Sequence, residues 1–194
     1  MNFPKPAYDI VALAASAGGL SAIGQILENL PANFPAAIAI VQHLAPQHRS
    51  LMADILSRKT ALHVKQAEQG DAIDPGTVYI APPNRHLLVS PDKTLSLTQT
   101  ALVHFLRPSA DLLFESVAAS YKDRAIAVVL SGTGNDGAIG VQAIHKMGGI
   151  AIAQDKETSE FFGMPSAAIQ TGLVDFVLPL PQITDALMSL VCMF

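Results

Sequence analysis

Three residues of this chain, Ser16, His43 and Asp136, have the types needed for acyl-transfer chemistry. A serine hydroxyl is a weak nucleophile near neutral pH unless a base takes its proton. An imidazole does this best when a carboxylate fixes its tautomer and stabilises the imidazolium. Each of the three stands just after a short apolar run: Ser16 after Ile10 to Ala15, His43 after Ala37 to Gln42, and Asp136 within SGTGNDG after Ala125 to Leu130. Taken singly, each has a plainer role. Serine and aspartate commonly cap helix N-termini, and a histidine before Ala45 and Pro46 fits a partly buried ring with ordinary partners. Their shared position at the ends of apolar runs is what points to a site. Gly18 and Gly19 suit a sharp turn into a helix, where backbone N–H groups favour an oxyanion, and the glycines of SGTGNDG offer further donors.

For these residues to meet, the runs before them must be strands of one sheet. After Ile10 to Ala15 the chain breaks into AGGL, and Leu20, Ile23, Ile26, Leu27 and Leu30 recur at helical spacing as far as Pro31 and Pro35. Ala37 to Gln42 reads as a second buried strand, with a loop through Pro46 and a helix from about Ser50 to Lys59. TVYIAP, HLLVSP and TLSLTQ, punctuated by Pro83, Asn84, Pro91 and Asp92, read as short antiparallel strands joined by tight turns. In RPSADLLFESVAASY, Leu112, Leu113, Val117 and Tyr121 suit a helix starting at Pro108 or Ser109. Ala125 to Leu130 is the most strand-like run. It is followed by a helix ending near Gly148 and Gly149, strands at Ile150 to Gln154 and near Val174 to Leu178, and a C-terminal helix. The alternation predicts an α/β fold: a doubly wound, mostly parallel sheet flanked by helices, with an antiparallel hairpin in the middle of the chain. Residues 1–194 are expected to form one domain. In such a sheet ligands gather outside the carboxyl ends of the strands, where Ser16, His43 and Asp136 would project together.

Composition narrows the function classes. Half of the 194 residues are hydrophobic and 14% are charged, which suits a sheet covered on both faces. A net charge of -4, with scattered Lys and Arg, gives no basic stripe for a phosphate backbone and argues against a nucleic-acid partner. Mean hydropathy is +0.36, yet the apolar runs fall far short of the roughly 20 residues that span a bilayer, so no membrane insertion is expected. The lone Cys192 excludes an internal disulfide and fits a reducing compartment, the cytoplasm. The histidines are scattered and there is no cysteine pair or HExxH, so neither a metal nor another cofactor is expected. The rival motif is GxGxxG, spelled by Gly132, Gly134 and Gly137 between a strand and a helix, with Asp155 where a ribose-binding acid would sit in a dinucleotide-binding domain. Asp136 inside that motif would set a negative charge beside the pyrophosphate.

The segments AASAGGLSAI (Ala14 to Ile23), VQHLAP (Val41 to Pro46), YIAPPNRH (Tyr79 to His86), RPSADLLFESVA (Arg107 to Ala118), LSGTGNDGAIG (Leu130 to Gly140) and FGMPSAAI (Phe162 to Ile169) resemble the catalytic domain of CheB, the protein-glutamate methylesterase of bacterial chemotaxis. They follow the family's order and span nearly the whole chain. The resemblance implies Ser16 as nucleophile, His43 as general base and Asp136 as the acid that orients the histidine. It also implies an oxyanion or near-site role for Ala17, Thr133, Arg107 and Met164. The implied reaction is demethylation of glutamyl methyl esters on the cytoplasmic helical bundle of a methylated chemoreceptor, with receptor-glutamine deamidation as a secondary activity. A receiver or another chemotaxis protein is the further partner it suggests. Two positions depart from the family pattern: Ala14 stands where it usually has glycine, and Ala17 where it often has a hydroxyl residue. The phosphorylatable N-terminal receiver domain that many members carry is not expected within this sequence. A module that keeps the fold but only binds receptor or signalling proteins is the alternative function.

Overall fold

The computed structural model describes residues 7–43 and 50–192. Leu44 to Pro46 of the VQHLAP segment, and His48, lie outside the described residues. Seven strands form one sheet: β1 (Ile10–Ala15), β2 (Ala37–Gln42), β3 (His63–Gln66), β4 (Thr77–Ile80), β7 (Ala125–Val129), β8 (Ile150–Gln154) and β9 (Phe176–Leu178). Their order is β3-β4-β2-β1-β7-β8-β9, and every neighbouring pair is parallel. The remaining strands, β5 (His86–Val89) and β6 (Leu95–Thr98), form a separate antiparallel hairpin.

The central strands are buried on both faces, which is why they read as unbroken apolar runs. Side chains still alternate. Ile10, Ala12 and Ala14 pack toward the hairpin and the helices α3 (Ala110–Tyr121), α4 (Ala138–Lys146) and α5 (Gly163–Gln170). Val11, Leu13 and Ala15 face α1 (Gly19–Glu28), α2 (Met52–Ser57) and α6 (Leu180–Val191). Three of the six β1 residues are alanine, and Ile10 and Leu13 of the strand share the buried volume with Phe114, Ile23, Ile26 and Leu27 of the flanking helices.

Strand order reverses at the β1–β7 boundary. From β1 the chain leaves through α1 toward β2 on one side, and from β7 it leaves through α4 toward β8 on the other. The chain therefore leaves the carboxyl ends of these two strands toward opposite sides of the sheet, the position where α/β sheets place their ligands.

The structure corrects the middle of the chain. TVYIAP, expected to be antiparallel, contributes β4 to the parallel sheet between β3 and β2, with all four strand residues buried. Nothing in so short a run encodes the direction of its neighbour; long-range pairing decides it. The antiparallel hairpin consists of HLLVSP and TLSLTQ alone. The half-exposed edge strand β3 carries no apolar run to announce it, and FGMPSAAI is largely a short helix, α5. The second helix is shorter than expected, Met52–Ser57.

Candidate active site

The site starts from the last rungs of the parallel ladder. Beyond the final β1–β2 register pair, Ala15 with Gln42, the His43 N–H donates to the Ala15 carbonyl at 3.0 Å. On the other side the Ser16 N–H donates to the Ser131 carbonyl at 3.0 Å. Backbone hydrogen bonds alone thus bring the nucleophile candidate between the chain ends leaving β2 and β7.

The turn that follows is tight. Gly18 adopts a left-handed φ of 75°, and a Cβ there would come within 2.8 Å of both Glu160 Oε2 and Ser131 Oγ. Ala14 and Ala17 are not among the residues of positive φ, so alanine at those two positions introduces no turn strain. Ser16 does not cap the helix it precedes: the N-cap of α1 is Gly18, which has no side-chain cap bond. Among the described residues the Ser16 hydroxyl makes no hydrogen bond, and the residue is partly exposed.

The loop after β7 presses on this serine. A Cβ on Gly132 would lie 2.9 Å from Ser16 Cβ and 2.3 Å from Met164 Sδ, so only glycine lets the backbone pass between them. Met164 is fully buried, and its N–H donates to the Gly132 carbonyl at 2.9 Å. Thr133, the next residue, is exposed. Among the described residues, the N–H groups of Ala17 and Thr133 have no acceptor.

Asp136 is 1% exposed and makes four hydrogen bonds. Its Oδ2 lies 2.8 Å from His43 Nε2 and accepts the Ala110 N–H at 2.6 Å; its Oδ1 accepts Ser109 Oγ–H at 2.9 Å and the Asp111 N–H at 3.1 Å. Sequence position suggested an ordinary cap for the following helix, α4. Instead, Asp136 caps α3, and the N-terminus of α4 is covered by Asp111 from the first turn of α3. Asp111 Oδ1 accepts the N–H groups of Gly137 at 2.9 Å and Gly140 at 2.8 Å. The loop into α4 supplies the acid that closes α3, and α3 supplies the acid that closes α4.

These two neighbouring carboxylates shift in opposite directions. Burial pushes Asp136 up, but the His43 ring and the N–H groups of Ala110 and Asp111 outweigh it and hold the carboxyl below its ordinary range. For Asp111, burial, reinforced by the negative charge of Asp136, outweighs its backbone donors and pushes the carboxyl up to about 6. Asp136 is therefore the ionised partner of His43 at neutral pH. With the Nε2 proton directed at Asp136, Nδ1 is the ring atom left to accept one.

A model of the CheB methylesterase family matches residues 11–187 of this sequence. The chain belongs to that family. The catalytic domain of Thermotoga maritima CheB methylesterase, solved by crystallography, superposes with a TM-score of 0.91 at 39% identity, covering 95% of this chain and 99% of that one. The protein-glutamate methylesterase FrzG of Myxococcus xanthus is 45% identical over 96% of this chain but only 56% of its own length. A protein-glutamate methylesterase/protein-glutamine glutaminase of Moorella thermoacetica is 40% identical over 96% of this chain and 45% of its own. The chain thus spans about half the length of those two relatives. It covers 95% of a Leptospira interrogans protein, 40% identical, named provisionally for the same two activities.

Within this CheB-type site the other predicted positions separate. Arg107 is committed to structure: Nε and Nη2 donate to Asn84 Oδ1 at 2.9 and 2.6 Å, and Nη1 donates to the carbonyls of Thr100 and Gln99. Of the GxGxxG glycines, Gly132 fits against Ser16 and Met164, Gly137 adopts a φ of 100° at the N-cap of α4, and Gly134 adopts a φ of 85° with open space around it. Asp155, the ribose-acid candidate, accepts the N–H and Oγ–H of Thr158 instead.

Several supporting polar residues escaped sequence reasoning. Besides Ser109 and Asp111, Ser131 Oγ donates to the Ala17 carbonyl and accepts the Phe161 N–H, while Gln154 Oε1 accepts the Ser131 N–H. Their one signal was polarity next to strand ends and in a helix first turn, where a solvated residue reads identically.

Proposed function

We propose that this chain is a serine-dependent protein-glutamate methylesterase acting in the cytoplasm as one catalytic unit on the helical bundle of a methylated chemoreceptor. The observation that carries this reading is the part-buried His43–Asp136 pair at 2.8 Å, one ladder step from Ser16. A hydrogen-bonded imidazole and carboxylate beside an unengaged hydroxyl supply the base and orienter a nucleophile needs. The Ser16–His43 hydrogen bond is absent from the described structure, and such bonds commonly tighten only when substrate binds.

In the proposed reaction Ser16 Oγ attacks the glutamyl ester carbonyl while its proton passes to His43 Nδ1. The oxyanion lies against the N–H groups of Ala17 and Thr133, donors held ready by the two loops. The tetrahedral intermediate collapses, the C–O bond to the methoxy group breaks, and His43 returns the proton so that methanol leaves. Water, deprotonated by His43, then attacks the acyl-enzyme. Ser16 departs with the proton, and a free glutamate carboxylate remains on the receptor. A glutamine side chain follows the same course with ammonia as leaving group. Asp136 stays ionised throughout and stabilises the imidazolium.

Methanol release from methylated receptor tests this reading. Ser16→Ala is expected to lower turnover by about 10⁴-fold or more while leaving the fold intact, and near-normal turnover in that variant would remove Ser16 from the mechanism. Fluorophosphonate labelling of Ser16 in the parent chain would separate an active esterase from a silent binding module.

A further inference from the structure

The ladder between β1 and β2 ends at the His43 N–H to Ala15 carbonyl bond, so no backbone pairing with the β2 side continues into the turn that carries Ser16. A side chain takes over. Gln42, 5% exposed, directs its amide nitrogen to the Ser16 carbonyl at 2.7 Å and to the His43 carbonyl at 3.2 Å. Its Oε1 is buried without a hydrogen-bond partner. Turning the amide over would place that oxygen against two carbonyl oxygens, so the orientation is fixed by repulsion as well as attraction. The oxygen instead faces the first turn of α1, where a Cβ on Gly19 would come within 2.2 Å of it and where the positive helix end favours an oxygen.

Holding the Ser16 carbonyl has a consequence for the neighbouring peptide. The Ser16 C=O and the Ala17 N–H belong to one planar trans unit and point in opposite directions. The carbonyl accepts from Gln42 Nε2 on one side and from the Gly19 N–H, at 2.9 Å, on the other. Rotation of that peptide is therefore blocked, and the Ala17 N–H stays without an acceptor among the described residues.

We propose that Gln42 is a positioning residue: by clamping the carbonyls of Ser16 and His43 together, it keeps the nucleophile and base turns in register and aims the Ala17 N–H at the developing oxyanion. The inference rests on the esterase reading above. Loss of an oxyanion donor typically lowers turnover by about 10²- to 10³-fold, and a loosened donor costs less.

The test compares the parent chain with Gln42→Met, which keeps the side-chain length without the donors. Gln42→Asn, polar but too short to bridge both carbonyls, decides the matter if the Met variant fails to fold. Fluorophosphonate labelling of Ser16 is expected to slow about 10- to 100-fold in both variants. KM for methylated receptor should stay within about twofold while kcat falls, because the clamp acts on the transition state and not on docking. The low-field proton NMR signal of the His43–Asp136 bond should persist. Labelling within about threefold of the parent in a folded variant overturns the inference, as does slowing accompanied by loss of that signal, which would mean general loosening. A parent chain that does not label at Ser16 overturns the esterase reading and this inference together; a labelled parent with equally fast variants overturns only the inference.

Discussion

The loops after β7 and after β1 lie against each other at the carboxyl ends of their strands but are built on opposite plans. The β7 loop delivers Asp136 to His43 with the carboxylate already held by Ser109 and two backbone N–H groups, while Asp111 returns the favour from the other helix. The β1 loop delivers Ser16 on a turn held by its backbone carbonyls, through Gln42 and Ser131: its helix has no side-chain cap, and its hydroxyl has no partner among the described residues. An orienting carboxylate gains from being immovable, because its task is the same before and during reaction. A nucleophile must be free to change partners, and the role proposed for Ser16 fits a loop fixed through carbonyls and close glycine contacts while the hydroxyl is left unengaged.

The largest effect that bears on this contrast, outside the serine itself, should come from Asp136→Asn. The amide keeps the shape and most of the cap on α3 but removes the charge that stabilises the imidazolium. Turnover should fall by about 10³- to 10⁴-fold in a protein that still unfolds cooperatively. A loss below about tenfold in methanol release would reduce Asp136 to a helix cap.

Asp111→Ala should act first on stability. It leaves the Gly137 and Gly140 N–H groups buried without an acceptor, at about 1–3 kcal/mol for each such group. Urea unfolding should show the loss, with a smaller fall in turnover as the Asp136 loop loosens. Asp111→Asn keeps an acceptor oxygen and should be far milder; equal damage from both variants would mean that charge, not capping, is what Asp111 provides.

The pH dependence of that second pair sharpens the comparison. Because the folded-state pKa of Asp111 is raised to about 6, the folded protein binds this proton more tightly than the unfolded chain does. Stability should therefore fall, relative to Asp111→Asn, as pH rises from about 4 to about 6, and the gap should stay constant above that. Asp136 has the opposite sign: its pKa is depressed below 3.8, so its contribution is present above that value and disappears as pH falls through the lower folded-state one. Thermal melts of the parent and the two Asn variants across this range read both signs at once.

The smallest effect belongs to Thr133→Ala. If the β7 loop serves the oxyanion through the backbone N–H, removing an exposed side chain should change kcat by less than about threefold. A hundredfold loss would give the hydroxyl itself a part in the reaction.

Local sequence was sufficient for much of this architecture. The β1, β2, β7 and β8 runs, the helices after Ser16 and Ser109, and the Ser16, His43 and Asp136 trio at strand ends all follow from which side chains avoid water at which period. What only the tertiary structure decided are relationships between segments far apart in the chain. Among these are the parallel pairing of β4, the edge strand β3, and the capping of α3 by an acid that precedes α4. The Gln42 bridge between two turns and the partnering of Arg107 with Asn84 belong with them. Burial and periodicity are written residue by residue. A hydrogen-bond partner is chosen only when the folded backbone brings donor and acceptor within about 3 Å, and nothing in Asp136 or Gln42 taken alone names the group that will arrive there.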